Sequence, residues 1–179
     1  MTAQVEISAL ATLPLLPYLD QDGALDEELQ KKIGVYAIFD QAKILQFVGY
    51  SRDMHTSLKQ HLVRQTNNCY WLKFQIITKP NRTWLEETRQ AWISENATVP
   101  PGNETNEKSW IQAIDTKFAM TEEEKAQYQL SEEVQQIKIL KNVARRVQKD
   151  IEQKLSERQV NVEIRFNPKL KEQGLLDLK

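Results

Sequence analysis

Residues 34–61 read GVYAIFDQAKILQFVGYSRDMHTSLKQH, and their periodicity decides the fold. Two apolar runs, GVYAIFD at 34–40 and ILQFVGY at 44–50, flank Gln41, Ala42 and Lys43. That spacing predicts a β-hairpin, although the turn lacks the glycine or asparagine that usually supplies a positive φ. The period then changes. In SRDMHTSLKQHLVRQ (51–65), Met54, Leu58 and Leu62 recur every four residues, the apolar stripe of a helix.

The pattern continues outward. CYWLKFQIIT (69–78) alternates, with Tyr70, Leu72, Phe74 and Ile76 on one side and Trp71, Lys73 and Gln75 on the other. This predicts a half-buried strand, which Pro80 ends. Trp71 is expected to be covered by the C-terminal helix. TWLEETRQAWISEN (83–96) predicts a second helix with Trp84, Leu85, Thr88 and Trp92 near one face, and VPPGN (99–103) closes the unit. Upstream, residues 1–32 form a lead-in interrupted by Pro14 and Pro17, with a short helix expected near 24–31. Downstream, 104–179 form an extension expected to pack on the core. It opens with a short helix near 106–115. Thr121 and Glu124 make a capping box. A long helix is expected to run to about Arg158 on the stripe Val134, Ile137, Leu140, Val143 or Ala144, Val147, Ile151 and Leu155, followed by a strand at VNVEIRF (160–166). Lys138, Lys141, Arg145, Arg146 and Lys149 read as a solvated face of that helix. The fold class is therefore α/β of the α+β kind: a small, mainly antiparallel sheet flanked by helices, with a helical C-terminal extension ending in a strand.

Composition narrows the classes. A chain of 179 residues, 40% hydrophobic and 27% charged, buries an ordinary globular core. A net charge of −1 argues against a dedicated nucleic-acid binder, which usually carries a basic excess. The single cysteine, Cys69, allows no internal disulfide and reads as a small buried apolar residue. MTAQVEISALATLP lacks the basic start and apolar run of a signal peptide, and no stretch is long and apolar enough to span a bilayer. A reducing, cytoplasmic location is the expectation.

The order of elements over 33–103, with Gly34-Val35-Tyr36, Phe47-Val48-Gly49, Ser51, His61, Trp92-Ile93 and Asn103 at their spacings, resembles the GIY-YIG nuclease domain. The resemblance covers about 70 residues, or two-fifths of the chain. It implies a mechanism with a glutamate-held divalent metal, an arginine on the first helix, and tyrosines and a histidine that handle the attacking water. Tyr36 and His61 stand at catalytic positions, whereas Phe47 replaces the second tyrosine and lacks its hydroxyl. Tyr50 lies three residues beyond and is expected on the opposite strand face. Ser57 stands at the arginine position and Arg89 at the glutamate position. A guanidinium cannot donate oxygen to magnesium. Glu86, one helical turn earlier, is the substitute metal ligand. The resemblance thus implies a catalytically degenerate module that binds a macromolecular partner, protein or nucleic acid, through Tyr50, Arg52, Arg89 and Asn103, or acts as an assembly factor. Such a module needs no cofactor. The alternative is a divergent endonuclease using Tyr36, His61 and Glu86 with Mg2+ or Mn2+.

Overall fold

The structure is a computed structural model describing residues 5–179. Met1–Gln4, part of the N-terminus read as lacking a signal peptide, lie outside the described residues. The chain forms two compact units, Met1–Ile111 and Gln112–Lys179. Six α-helices and a four-stranded antiparallel sheet are present among the described residues, an α+β fold. No helix among them is long and apolar enough to cross a membrane.

In the first unit, β1 (Leu16–Pro17), β2 (Ile33–Phe39), β3 (Leu45–Ser51) and β4 (Trp71–Ile77) pair in the order β1-β4-β2-β3. Helices α1 (Met54–Arg64), α2 (Arg82–Glu95) and α3 (Glu107–Ile111) complete it. The β2–β3 turn works without glycine because Lys43 adopts φ 65° and the Asp40 carboxylate accepts from Ile44 N at 3.0 Å. Asp53 caps α1 by accepting from Thr56 N at 3.2 Å, and Asn81 caps α2 by accepting from Trp84 N at 3.0 Å.

Central strand β2 is covered on both sides. Val35, Ala37 and Phe39 join a core with Trp84, Leu85 and Trp92 of α2. Tyr36 faces α1, meeting His61 there. Trp71 packs against the α2-side core, which corrects the expectation that the C-terminal helix covers it; Lys43 lies over its ring at 5.0 Å. Alternation along a strand exposes both of its faces to apolar partners, and α2 had an apolar stripe to offer the second face.

The lead-in is tied to the sheet rather than trailing from it. The indoles of Trp84 and Trp92 donate to the carbonyls of Val5 and Ser8 at 2.7 and 2.9 Å. The Glu95 carboxylate accepts from Leu10 N and Ala11 N at 2.7 and 2.8 Å. The helix expected near 24–31 is only a 3-10 turn at Glu27–Leu29.

Outer strand β3 has an unusual closure. Val48 lies opposite Ala37 in the ladder, yet its amide donates to Asn103 Oδ1 and its carbonyl accepts from Asn103 Nδ2, both at 2.8 Å. The side-chain amide does what a neighbouring strand would do, closing the edge at that residue.

In the second unit, α4 (Glu122–Leu130) starts with both halves of the capping box: Glu124 N donates to Thr121 Oγ1 at 3.1 Å and Thr121 N to Glu124 Oε2 at 2.8 Å. The single long helix expected here is broken at Ser131 and Glu132 before α5 (Glu133–Glu157). Leu140, Val143, Ala144, Val147, Ile151 and Leu155 are buried as their spacing predicts, but Val134, at the start of α5, is 69% exposed. Arg146 forks onto the Glu124 carboxylate at 2.8 and 2.9 Å. The strand expected at 160–166 is not formed; Phe166 makes an isolated bridge with Leu178. Alternation alone did not supply a pairing partner. Instead β5 (Ile114–Asp115) pairs with β6 (Leu175–Leu176), after α6 (Pro168–Lys171).

Replacing Asn103 with alanine removes the acceptor of the Val48 amide and the shorter of the two donors to its carbonyl. Urea unfolding of the Asn103→Ala chain is expected to show a loss of about 1–3 kcal/mol, the usual cost of stranding a shielded backbone group. An unchanged midpoint would show that water replaces the amide without cost.

Candidate functional site

An open cavity of about 310 Å3 lies where β2, β3, α1, α2 and α3 meet. Tyr36, Phe47, Gly49, Tyr50, Ser57, Gln60, His61, Arg64, Arg89, Glu107 and Ile111 line it.

Its floor is aromatic and buried. Tyr36 Oη and His61 Nε2 share a hydrogen bond of 2.8 Å, with both residues almost fully buried. The Phe47 ring lies 4.8 Å from the imidazole and stacks on Trp110 at 5.0 Å, with the planes 4° apart. Position 47 has no phenol to offer and instead contributes a stacked ring. Two glycines make room for this arrangement. A Cβ on Gly49 would stand 2.6 Å from Phe47 Cε1 and 3.0 Å from Tyr36 Oη, and one on Gly34 would stand 2.3 Å from the Gln75 carbonyl oxygen.

The floor holds its protons fixed. Burial is the main cause that pulls His61 down to about 3, and the Arg64 charge acts in the same direction; the Trp110 backbone opposes both. Burial likewise raises the Tyr36 phenol, against smaller lowering effects from the Ser57 hydroxyl and the Arg64 charge. At neutral pH the imidazole is therefore neutral and the phenol protonated. Nδ1 of His61 is buried without a hydrogen-bond partner of good geometry.

The rim carries the charge. Arg64 Nη1 donates to the Trp110 carbonyl at 2.9 Å, which orients the guanidinium at the end of α1. Arg89 Nη1 donates to Glu86 Oε1 at 3.0 Å, and its Nε reaches the Val48 carbonyl at 3.4 Å. Glu86 is held below its ordinary value first by the Gln90 amide, then by the charge and hydrogen bond of Arg89 and by the Tyr50 hydroxyl, against a desolvation penalty. Glu107 supplies the one carboxylate of the lining. No cluster of three or more His, Cys, Asp or Glu side chains suited to a metal occurs among the described residues.

The structure thus brings Tyr36, His61, Ser57, Tyr50 and Arg89 to one cavity. Glu86 sits beside it, paired with Arg89. Arg52 lies in a neighbouring cavity, and Asn103 braces β3. Sequence reasoning passed over Arg64, Gln60 and Trp110. Arg64 was legible as the residue three after His61, on the same helix face. Trp110 carries no local signal, because its contacts with Phe47 and His61 span a long stretch of chain.

No family model matches the chain. Over 115 residues it is 30% identical to a protein of Arabidopsis thaliana named bifunctional monothiol glutaredoxin-S16, chloroplastic. The match covers 62% of this chain and 38% of that relative, so the chain spans well under half of the relative's length. These findings overturn the assignment to the GIY-YIG nuclease family. With it go the degenerate nuclease-like binding or assembly module and the divergent endonuclease, since no nuclease model matches and the matching relative carries a glutaredoxin name. There is a physical reason why the motif misled. Gly34 and Gly49 are required by close approach, and Tyr36 and Phe47 by packing, so their spacing reports the geometry of a hairpin under a helix and does not report a reaction.

The buried imidazole predicts a pH dependence. The folded value of about 3 lies below the ordinary 6.5. Between these values the unfolded chain binds a proton that the folded chain does not. Stability is therefore complete above pH 6.5 and falls towards pH 3, by at most about 1.4 kcal/mol per pH unit from this group. In urea titrations at pH 7, 6 and 5, His61→Phe should flatten that decline. An equally steep decline in the variant would assign it to other groups.

Proposed function

We propose that the chain is a binding module for a small anionic ligand, which serves a glutaredoxin-type redox system without supplying its thiol. The observation that carries this reading is the convergence of Arg64 and Arg89 on an open cavity with a buried, uncharged aromatic floor. Guanidinium forks suit phosphate, phosphonate or carboxylate oxygens, and the low-dielectric floor strengthens their attraction. Tyr50, Ser57 and Gln60 add hydroxyl and amide groups that orient a ligand. The positive charge comes from side chains, so the reading assigns no metal.

The relative's name supports the redox setting, and Cys69 limits this chain's part in it. Cys69 is fully buried, with its Sγ 3.5 Å from the His61 carbonyl. A thiol in that place is not an accessible nucleophile. The thiol chemistry is therefore supplied from outside these residues. A reducing compartment such as the cytoplasm suits the reading; the relative's name places that relative in the chloroplast.

Calorimetric titration with methylphosphonate tests the site. Binding that weakens with salt is expected, with Arg89→Ala and Arg64→Ala each weaker by at least about tenfold, the loss of one charge-assisted contact. An absence of heat in the parent at millimolar ligand would overturn the anion reading. Iodoacetamide should leave Cys69 unlabelled in the native chain and label it in urea. Rapid native labelling would return the thiol to the mechanism.

A further inference from the structure

A second cavity, of about 350 Å3, opens beside the first. Tyr50 lines both cavities. The second is lined by Arg52 and Arg82, with Pro80 and Asn81 at the start of α2, and no carboxylate is among its lining residues. Arg82, Leu85 and Arg89 fall three and four residues apart on α2 and so share one helical face. Leu85 is buried and anchors that face to the core, while the arginines on either side point one to each cavity. Arg82 and Arg89 are seven positions apart, about 10 Å along the helix axis.

We infer that the natural ligand is an elongated dianion. One anionic group is held by Arg89 and Arg64 and the other by Arg82 and Arg52, about 10 Å apart, with the connecting part lying across Tyr50. The inference rests on the anion-binding reading of the first cavity and specifies its ligand. A single small anion fills one cavity and leaves the other pair of arginines to water. A ligand that spans both gains by linkage, because its second contact forms at a high effective concentration. The length of the connection then selects the ligand, since a linker too short cannot reach and one too long loses the advantage.

The test is calorimetric titration of the full chain with methylphosphonate and with ethane-, hexane- and decane-linked bisphosphonates at fixed ionic strength. The hexane-linked compound is expected to bind at least about tenfold tighter than methylphosphonate and tighter than its shorter and longer homologues. Arg82→Ala should bring its affinity down to that of methylphosphonate, and Arg52→Ala should lower it in the same direction. Arg82 and Arg52 are exposed, so their loss does not threaten the fold. If all the linked compounds match methylphosphonate, or if Arg82→Ala leaves the hexane-linked affinity intact, the two-site inference is overturned and the single-anion reading stands. If neither methylphosphonate nor any linked compound binds, both fall.

Discussion

Strand β2 is buried from Gly34 to Phe39, and the first unit is arranged around that constraint. A strand buried on both faces needs two apolar covers and two hydrogen-bonding neighbours, because its peptide groups have no water to turn to. Strands β3 and β4 supply the ladders. Helix α1 covers the Tyr36 face, and α2 with the lead-in covers the Val35 face. Each cover brings its own demand. The two tryptophans of α2 need acceptors for their indoles, and the lead-in backbone provides them. Strand β3 then has one exposed side, and Asn103 closes it at Val48. The cavity forms at the end of this chain of requirements. Tyr36 and Phe47 form its floor because they stand on the α1 face of the sheet, against His61.

Much of this was legible locally. The hairpin, α1, β4 and α2 each have a period of two or of three to four residues, and burial follows the period at Met54, Leu58 and Leu62 and at Trp84, Leu85, Thr88 and Trp92. The capping box at Thr121 and Glu124 also stands as read. What escaped depends on partners distant in sequence. Nothing around Val5 or Ser8 announces that an indole nearly eighty or more residues away will bond to them. VNVEIRF alternates as a strand should, but alternation licenses a strand only where an edge waits for it. The break between α4 and α5 lies at Ser131 and Glu132, where an apolar stripe read across the gap continues in sequence but not in space.

The candidate site was half legible, for a related reason. Tyr36, Ser57, His61 and Arg89 do come together, because a hairpin under a helix leaves few other ways to arrange them. Their roles were not legible. A histidine invites an acid–base reading, but that chemistry requires a pKa near the working pH. Burial instead leaves this imidazole near 3 and raises the phenol bonded to it. The same desolvation that makes the floor well packed removes it from proton traffic. Only with Trp110 and Arg64 in place does that become visible, and both are held by contacts absent from the local pattern.

The remaining chemistry sits at the rim, where charge is cheap to keep. Arg89 is partly exposed, and its bond with Glu86 lies on the surface of α2. A surface ion pair of this kind is worth little, ~0–1 kcal/mol, so the anion proposed above would compete for the guanidinium at small cost. Glu86 meanwhile has Gln90 and Tyr50 as further partners, so its carboxylate does not depend on Arg89 alone. The pair therefore fixes the direction of the Arg89 guanidinium at little energetic cost. Cys69 has no such freedom beneath α1, where any approach by a reagent requires the core to open. Partly exposed guanidinium groups at the rim and a sealed thiol beneath α1 set the two chemistries of this unit apart, one open to solvent and the other closed to it.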